Sequence, residues 1–201
     1  MTVEQCTLTL NGGAAASYTV GRAAEFVIGD SYSQNAATVL SSGTLNVGAW
    51  LTLGRGSATT ATSNSLTASG TSVINTLSFS TGFNAGQGLT YSSSAVTLND
   101  SARLIAVNQG NNFNISESPG SRTVITLNGS SMLEYFGGSV TAGGNLIRVG
   151  MNGTGVINVA SANAVLRANA IKFGESDGGA GALYLKGTLQ LTSAANTDAF
   201  P

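Results

Sequence analysis

Two acidic side chains that lie close together, Glu175 and Asp177, come nearest in this chain to a catalytic pair. Paired carboxylates can act on a glycosidic bond as general acid and as base or nucleophile. A third acid, Asp30, occupies a similar place in the sequence pattern but lies about six repeat units away, too far for joint action on one bond. We therefore interpret Glu175 and Asp177 as a solvated turn and predict no catalytic residue.

The chain has no histidine, which removes the side chain most often used for proton transfer and zinc binding. Ser-His-Asp and Cys-His catalysis are therefore excluded. Polysaccharide lyases need a Lys or Arg base beside clustered acids, and the sequence places no such cluster around Lys172 or Lys186. We predict a protein without enzymatic activity, metal or cofactor, and keep a polysaccharide-binding or polysaccharide-cleaving protein as the alternative.

Three aromatic residues, Tyr32, Phe83 and Phe113, fall in segments of variable length between more regular stretches. A row of rings along one edge of a protein could stack against sugar rings or anchor a protein partner. The simpler interpretation is that each ring folds down as a lid over the chain beneath it. These three residues are the candidate contacts for a surface glycan or for a protein of a host or neighbouring cell.

Charged residues make up only 8% of the chain, and the formal net charge is −1. The basic residues are scattered singly, so no basic stripe is available for phosphates, and nucleic-acid binding is not expected. Cys6 is the single cysteine, which excludes an intrachain disulfide. We interpret Cys6 as a small apolar residue of the first strand, with cross-linking of two copies as the alternative.

The elements that would position these residues are indicated by a recurring phrase: apolar, polar, apolar, then Gly or a small polar residue. The fourth positions of successive phrases are 25, 26, 28, 42 and 24 residues apart. A period of this size indicates a repeat architecture. The six phrases are residues 26–29, 51–54, 77–80, 105–108, 147–150 and 171–174.

The alternation within each phrase has period 2, which places apolar side chains on one face of a strand. Three such short strands occur in each repeat, and strands this short need neighbours. Parallel pairing of each strand with its equivalent one repeat away satisfies the backbone and buries the apolar faces. We predict an all-β fold: a single-stranded right-handed parallel β-helix (β-solenoid) with three short strands and about 25 residues per coil.

The prediction treats residues 1–201 as a single β-solenoid domain, with 1–25 as a partial N-terminal coil and 196–201 as a tail. The repeats are roughly 26–50, 51–76, 77–103, 104–146, 147–170 and 171–195.

Small residues mark the predicted corners, because Gly adopts a left-handed backbone readily and Asn tolerates one. Stacked Asn side chains can also form hydrogen bonds from coil to coil. We assign turns after the first strand of a coil to Gly29, Gly54, Gly150 and Gly174. We assign turn or ladder roles after third strands to Asn46, Asn75 and Asn99, and after second strands to Asn128 and Asn158.

The beginning of the chain has no positively charged segment followed by an apolar run, and no stretch approaches eighteen consecutive apolar residues. Neither a signal peptide nor a membrane span is therefore expected in this chain. The pattern also indicates no capping helix at either end of the predicted stack. Uncovered end strands favour association of copies end to end.

Two glycine-rich phrases, residues 150–159 and 178–185, resemble the repeats of bacterial autotransporter passenger domains. They are similar also to autotransporter-associated β-strand repeat proteins and to exosortase-sorted surface proteins, and the likeness extends from about Phe26 to Leu191. The resemblance implies a right-handed β-helix on a bacterial cell surface, used as a stalk, adhesin or matrix component. We expect a structural or adhesive extracellular protein or a self-assembling fibre. A phage tail spike or fibre segment is a further alternative.

Overall fold

Parallel strands stacked in three rows form the body of the molecule. The computed structural model describes residues 1–3, 6–21, 24–30, 35–56, 62–83, 92–107, 113–136 and 146–192. Within these residues the chain is all-β, with no helix, and every strand pairing is parallel. The predicted parallel β-solenoid is therefore confirmed.

The chain passes through rows one, two and three before it begins the next coil. Row one contains β1 (Thr2–Val3), β4 (Phe26–Ile28), β11 (Phe113–Ile115), β14 (Leu146–Val149) and β17 (Ala170–Phe173), with residues 51–53 and 79–81 between β4 and β11. Row two contains β2 (Thr7–Asn11), β5 (Asn35–Ser42), β7 (Thr62–Ala68), β9 (Ser92–Leu98), β12 (Arg122–Leu127), β15 (Thr154–Val159) and β18 (Ala180–Leu185). Row three contains β3 (Ser17–Val20), β10 (Arg103–Ala106), β13 (Met132–Tyr135), β16 (Val165–Ala168) and β19 (Thr188–Leu191), with residues 44–47 and 73–76 between β3 and β10.

Two long strands, β6 (Thr44–Arg55) and β8 (Val73–Phe83), supply the segments 44–47, 51–53, 73–76 and 79–81. Each therefore runs through row three and row one without a break, and the two rows form one twelve-stranded sheet. Row two is a separate seven-stranded sheet. Where β6 turns from row three to row one, its register against β8 shifts between Val47 and Trp50.

The strand register corrects two of the six phrases. Phe79, rather than Leu77, pairs with Leu51, so the third phrase begins two residues too early. Residues 105–106 belong to β10 in row three, and the row-one strand of that coil is β11. Equivalent row-one residues are 25, 28, 34, 34 and 24 positions apart. The alternation is alike in all three rows, so it cannot by itself identify the row of a phrase.

The residues directly after the row-one segments, from β4 onward, adopt a left-handed backbone at the corner between rows one and two. Their φ angles lie between +56° and +78°. These residues are Gly29, Gly54, Gly82, Ser116, Gly150 and Gly174. Ser116 is the one member with a side chain, and its hydroxyl donates a hydrogen bond to the Thr154 carbonyl oxygen at 2.7 Å. That bond helps offset the roughly 1–2 kcal/mol cost of this conformation in residues other than glycine.

Asparagine side chains link neighbouring coils on the outside of the solenoid. Asn75 Nδ2 donates to Asn46 Oδ1 at 2.9 Å. Both residues lie inside the row-three strands, whereas the sequence placed them after the third strand. Asn128 Nδ2 donates to Asn99 Oδ1, also at 2.9 Å, directly after strands of row two. Asn99 therefore follows a second strand, not a third. Asn158 lies inside β15, opposite Thr126 and Tyr184, and not at a corner as predicted.

An aromatic stack fills the middle of the core. Phe79 and Phe113 lie on adjacent coils with ring centroids 4.3 Å apart and nearly parallel planes. The Tyr135 ring meets Phe113 edge-on at 5.8 Å. All three side chains are buried. Such ring pairs contribute about 0.5–1.5 kcal/mol beyond the area that they bury.

The burial of Tyr135 makes stability sensitive to high pH. Burial raises the pKa of its hydroxyl, and the nearby Arg148 only partly opposes this effect. The unfolded chain releases the proton near pH 10, whereas the folded chain retains it, so stability falls as the pH rises above about 10. We expect Tyr135→Phe to lose less melting temperature than the wild type between about pH 9 and pH 11. An equal loss in both proteins would contradict this assignment.

Candidate functional site

The three aromatic residues predicted to contact a partner differ in location and in exposure. Tyr32 lies outside the described residues. Phe83 is the last residue of β8, and 37% of its surface is exposed. Phe113 is in row one and completely buried. The prediction for Phe113 was wrong, because its ring belongs to the core stack and is inaccessible to a partner.

The two acidic residues suggested by the sequence, Glu175 and Asp177, lie in different surroundings. Glu175 Oε2 lies 3.0 Å from Arg148 Nε, and Glu175 Oε1 accepts a hydrogen bond from Lys172 Nζ at 3.2 Å. Asp177 lies in an exposed turn. Glu175 is thus a charge partner of two basic residues on neighbouring row-one strands. The sequence interpretation placed no acidic group beside Lys172 and so missed this ion pair. A solvated turn describes Asp177 but not Glu175.

A second carboxylate, Glu134, is almost completely buried on the outer side of row three. Its side chain is 2% exposed and forms ion pairs with Arg103 and Arg167. Arg167 also donates from Nε to Gln190 Oε1 at 2.7 Å. The three partners of this ion-pair network are about thirty residues apart in sequence, so only the parallel register brings them together. The network ties four successive coils, from β10 to β19.

A third charge cluster lies at the corner near the N-terminal end. Arg55 Nη2 donates to Asp30 Oδ2 at 2.9 Å, and Arg55 Nη1 forms a short contact with Glu25 Oε2. The hydrogen bond that Arg55 donates to Asp30 is the main reason that the pKa of Arg55 is raised, and the charge of Glu25 adds to it. The guanidinium therefore remains charged and fixed between two carboxylates.

Beside this cluster is an open cavity of about 180 Å³. Aromatic, charged and hydroxyl-bearing side chains line it together: Glu25, Trp50, Thr52, Arg55, Ser80 and Phe83. Phe83 and Arg55 lie side by side because their backbones pair across β6 and β8. We call this space the Trp50 cavity. An apolar wall with a few polar groups is the usual composition of a small-ligand site.

The last coil of the described chain exposes side chains whose equivalents one coil earlier are core residues. Phe173, Leu185 and Leu191 are 44%, 47% and 60% exposed. Their equivalents one coil earlier are fully buried, and these are Val149, Val159 and Ala168. Within the described residues, each strand of this coil also has a partner on one side only. We call this surface the C-terminal end face.

Comparison of the chain with protein-family models, with curated proteins and with solved structures gives no match. Among the described residues, no helix is long and apolar enough to cross a membrane. The same residues contain no group of three or more Cys, Asp or Glu side chains placed to hold a metal ion.

Sequence reasoning missed two residues of the Trp50 cavity, Trp50 and Arg55. Trp50 is the only tryptophan of the chain and stands directly before a core phrase, a signal that could have indicated the cavity. Arg55 follows the left-handed Gly54, which places it at a corner. Cys6 was interpreted as an apolar strand residue, but it is exposed and lies just before β2.

Proposed function

We propose that this chain is a structural, non-enzymatic β-solenoid that assembles end to end into a rod, as part of a bacterial surface protein or extracellular fibre. The observation that supports the proposal is the C-terminal end face, with its exposed core side chains and its strand edges. A second copy would cover this face with its own N-terminal strands, so that the stack continues from one copy to the next.

Backbone geometry favours this partner. Strands β1, β2 and β3 each pair on one side only within the described residues, and they represent the same three rows as β17, β18 and β19. Because all rows are parallel, the first coil of one copy has the polarity required to extend the last coil of another. Such a head-to-tail contact does not close on itself and produces a filament.

Side-chain burial adds to the backbone bonds. Leu8, Leu10, Tyr18 and Val20 are only partly buried and face the core from the N-terminal end. Full burial of a large apolar side chain is worth about 1.5–3 kcal/mol, so covering Phe173, Leu185 and Leu191 would contribute several kcal/mol. The low content of charged residues leaves little electrostatic repulsion between copies.

The test is the concentration dependence of assembly. We expect wild-type protein to form longer particles as its concentration rises, measured by sedimentation velocity and negative-stain electron microscopy. The double variant Leu185→Glu, Leu191→Glu places charges on the end face, and we expect at least a tenfold higher concentration to be needed for association. Both residues are already exposed, so the variant should retain its fold.

Phe83→Glu is the matched control, because it adds a charge at an exposed apolar residue on the side of the solenoid. This control should assemble like the wild type. Wild-type particles that remain single at the highest concentration would contradict the proposal. Equal assembly of the wild type and the end-face variant would also contradict it.

A further inference from the structure

We infer that the Trp50 cavity is a binding subsite for one uncharged sugar ring of a glycan. This inference goes beyond the structural role proposed above, because it concerns the side of the solenoid and not its end. It rests on the size of the cavity, on the chemistry of its walls and on its charge.

The size fits a single ring. Pockets for drug-sized ligands usually occupy about 300–1,000 Å³. The Trp50 cavity, at about 180 Å³, is smaller and open to the surface. A terminal or internal monosaccharide unit could therefore enter while the rest of the glycan lies outside.

The walls combine the two kinds of contact that a sugar ring offers. Trp50 and Phe83 present aromatic surface to the apolar C–H face of a pyranose. Arg55 and Glu25 supply hydrogen-bond donors and acceptors to its hydroxyl groups. Arg55 uses Nε and both terminal nitrogens for Asp30 and Glu25, yet a guanidinium has five N–H bonds and so retains donor capacity.

The charge of the cluster selects against acidic sugars. Two carboxylates, Glu25 and Asp30, surround the single guanidinium of Arg55. The Glu117 carboxylate, which accepts a hydrogen bond from the Ser80 hydroxyl, and the Met1 ammonium, which donates to the Glu25 carbonyl oxygen, offset each other. The sum over these groups is therefore one negative charge, which repels a uronate or a sulfated sugar. An uncharged sugar escapes this repulsion and can still bind to both members of the Arg55–Glu25 pair.

The cavity wall is held by the solenoid itself. Trp50 lies at the register shift of β6, where the strand turns from row three into row one. Irregular positions of this kind redirect a side chain out of the regular alternation. Pairing with β8 is regular up to Val47 and again from Trp50 onward, so the position of Trp50 is set before any ligand arrives, and little ordering cost is added on binding.

The experiment uses Trp50 as the reporter, since it is the only tryptophan. The full chain is titrated with neutral hexasaccharides of glucose, galactose, mannose and N-acetylglucosamine, and with hexagalacturonate as the acidic comparator. We expect at least one neutral hexasaccharide to change the tryptophan emission in a saturable way. Hexagalacturonate should bind at least tenfold more weakly.

Variants locate the site. Phe83→Ala should weaken the binding of that hexasaccharide at least fivefold by fluorescence, and Trp50→Ala at least tenfold by calorimetry. Tyr184→Ala is the control, because Tyr184 is an exposed aromatic residue on row two, and it should leave the affinity unchanged.

Three results would overturn the inference: no saturable response to any neutral hexasaccharide, tighter binding of hexagalacturonate, or unchanged affinity in Phe83→Ala and Trp50→Ala. None of these results bears on rod assembly, which is measured separately at the C-terminal end face.

Discussion

Replacing Gly150 by alanine is expected to destabilise the solenoid by about 3 kcal/mol, which corresponds to a fall in melting temperature of about 6–12 °C. Gly150 has a φ of +70°, and a Cβ there would overlap the backbone carbonyl of Ala180 in the next coil. A backbone atom cannot move aside as the end of a flexible side chain can. Strain and overlap therefore add at this position. Thermal unfolding followed by circular dichroism measures the effect.

Gly178→Ala is the matched control for the overlap. Gly178 has a φ of +92°, but no atom lies within 4 Å of the place where a Cβ would be added. Only the conformational cost of about 1–2 kcal/mol applies there. A Gly150→Ala variant no less stable than Gly178→Ala would show that the coils can separate at this corner, contrary to the packing described.

Truncation of Phe113 to alanine is expected to cost about 3–5 kcal/mol, because it removes the central ring of the aromatic stack and leaves a cavity between two coils. Phe79 would lose its stacked partner and Tyr135 its edge-on partner. Phe113→Leu keeps most of the volume and should cost less than about 1.5 kcal/mol. Chemical denaturation measures these differences in the free energy of unfolding, provided that its slope against denaturant concentration is the same in the variants and the wild type.

Phe83→Ala separates a core role from a surface role. Phe83 is exposed, so its truncation should change stability by no more than about 0.5 kcal/mol. The sequence analysis interpreted both Phe83 and Phe113 as aromatic residues of the variable segments between strands. Similar small effects for both variants would restore that interpretation and contradict the core stack.

The fold was predictable because a solenoid repeats one local pattern. The phrases ending in Gly29, Gly54, Gly150 and Gly174 all lie in row one, where the left-handed corner requires glycine or a special substitute. The phrases ending in Ser80 and Asn108 have no such marker. One was displaced by two residues, and the other belongs to row three. Alternation identifies a strand, but the corner residue identifies which side of the coil it occupies.

The candidate sites were less predictable, since they depend on neighbours that lie a whole coil away. Glu134 is separated from Arg103 and Arg167 by 31 and 33 residues, and nothing within its own segment indicates ion pairing. Trp50, Arg55 and Phe83 meet in the same way, through the pairing of β6 with β8. A register error of two residues is enough to conceal such contacts. An open end of the stack was expected in outline, but the structure was needed to identify the side chains that the last coil exposes within the described residues.

The pairing of strands has a consequence for the dimensions of the molecule. Equivalent residues differ in spacing from 23 to 34 positions, yet each step advances the stack by one strand separation of about 4.8 Å. Extra residues at a corner therefore widen the cross-section without lengthening the axis. Seven strands in row two span only about 30 Å. The axial length therefore increases only in whole coils, so a longer protein of this kind must gain complete turns. The width of its cross-section can instead change by single residues.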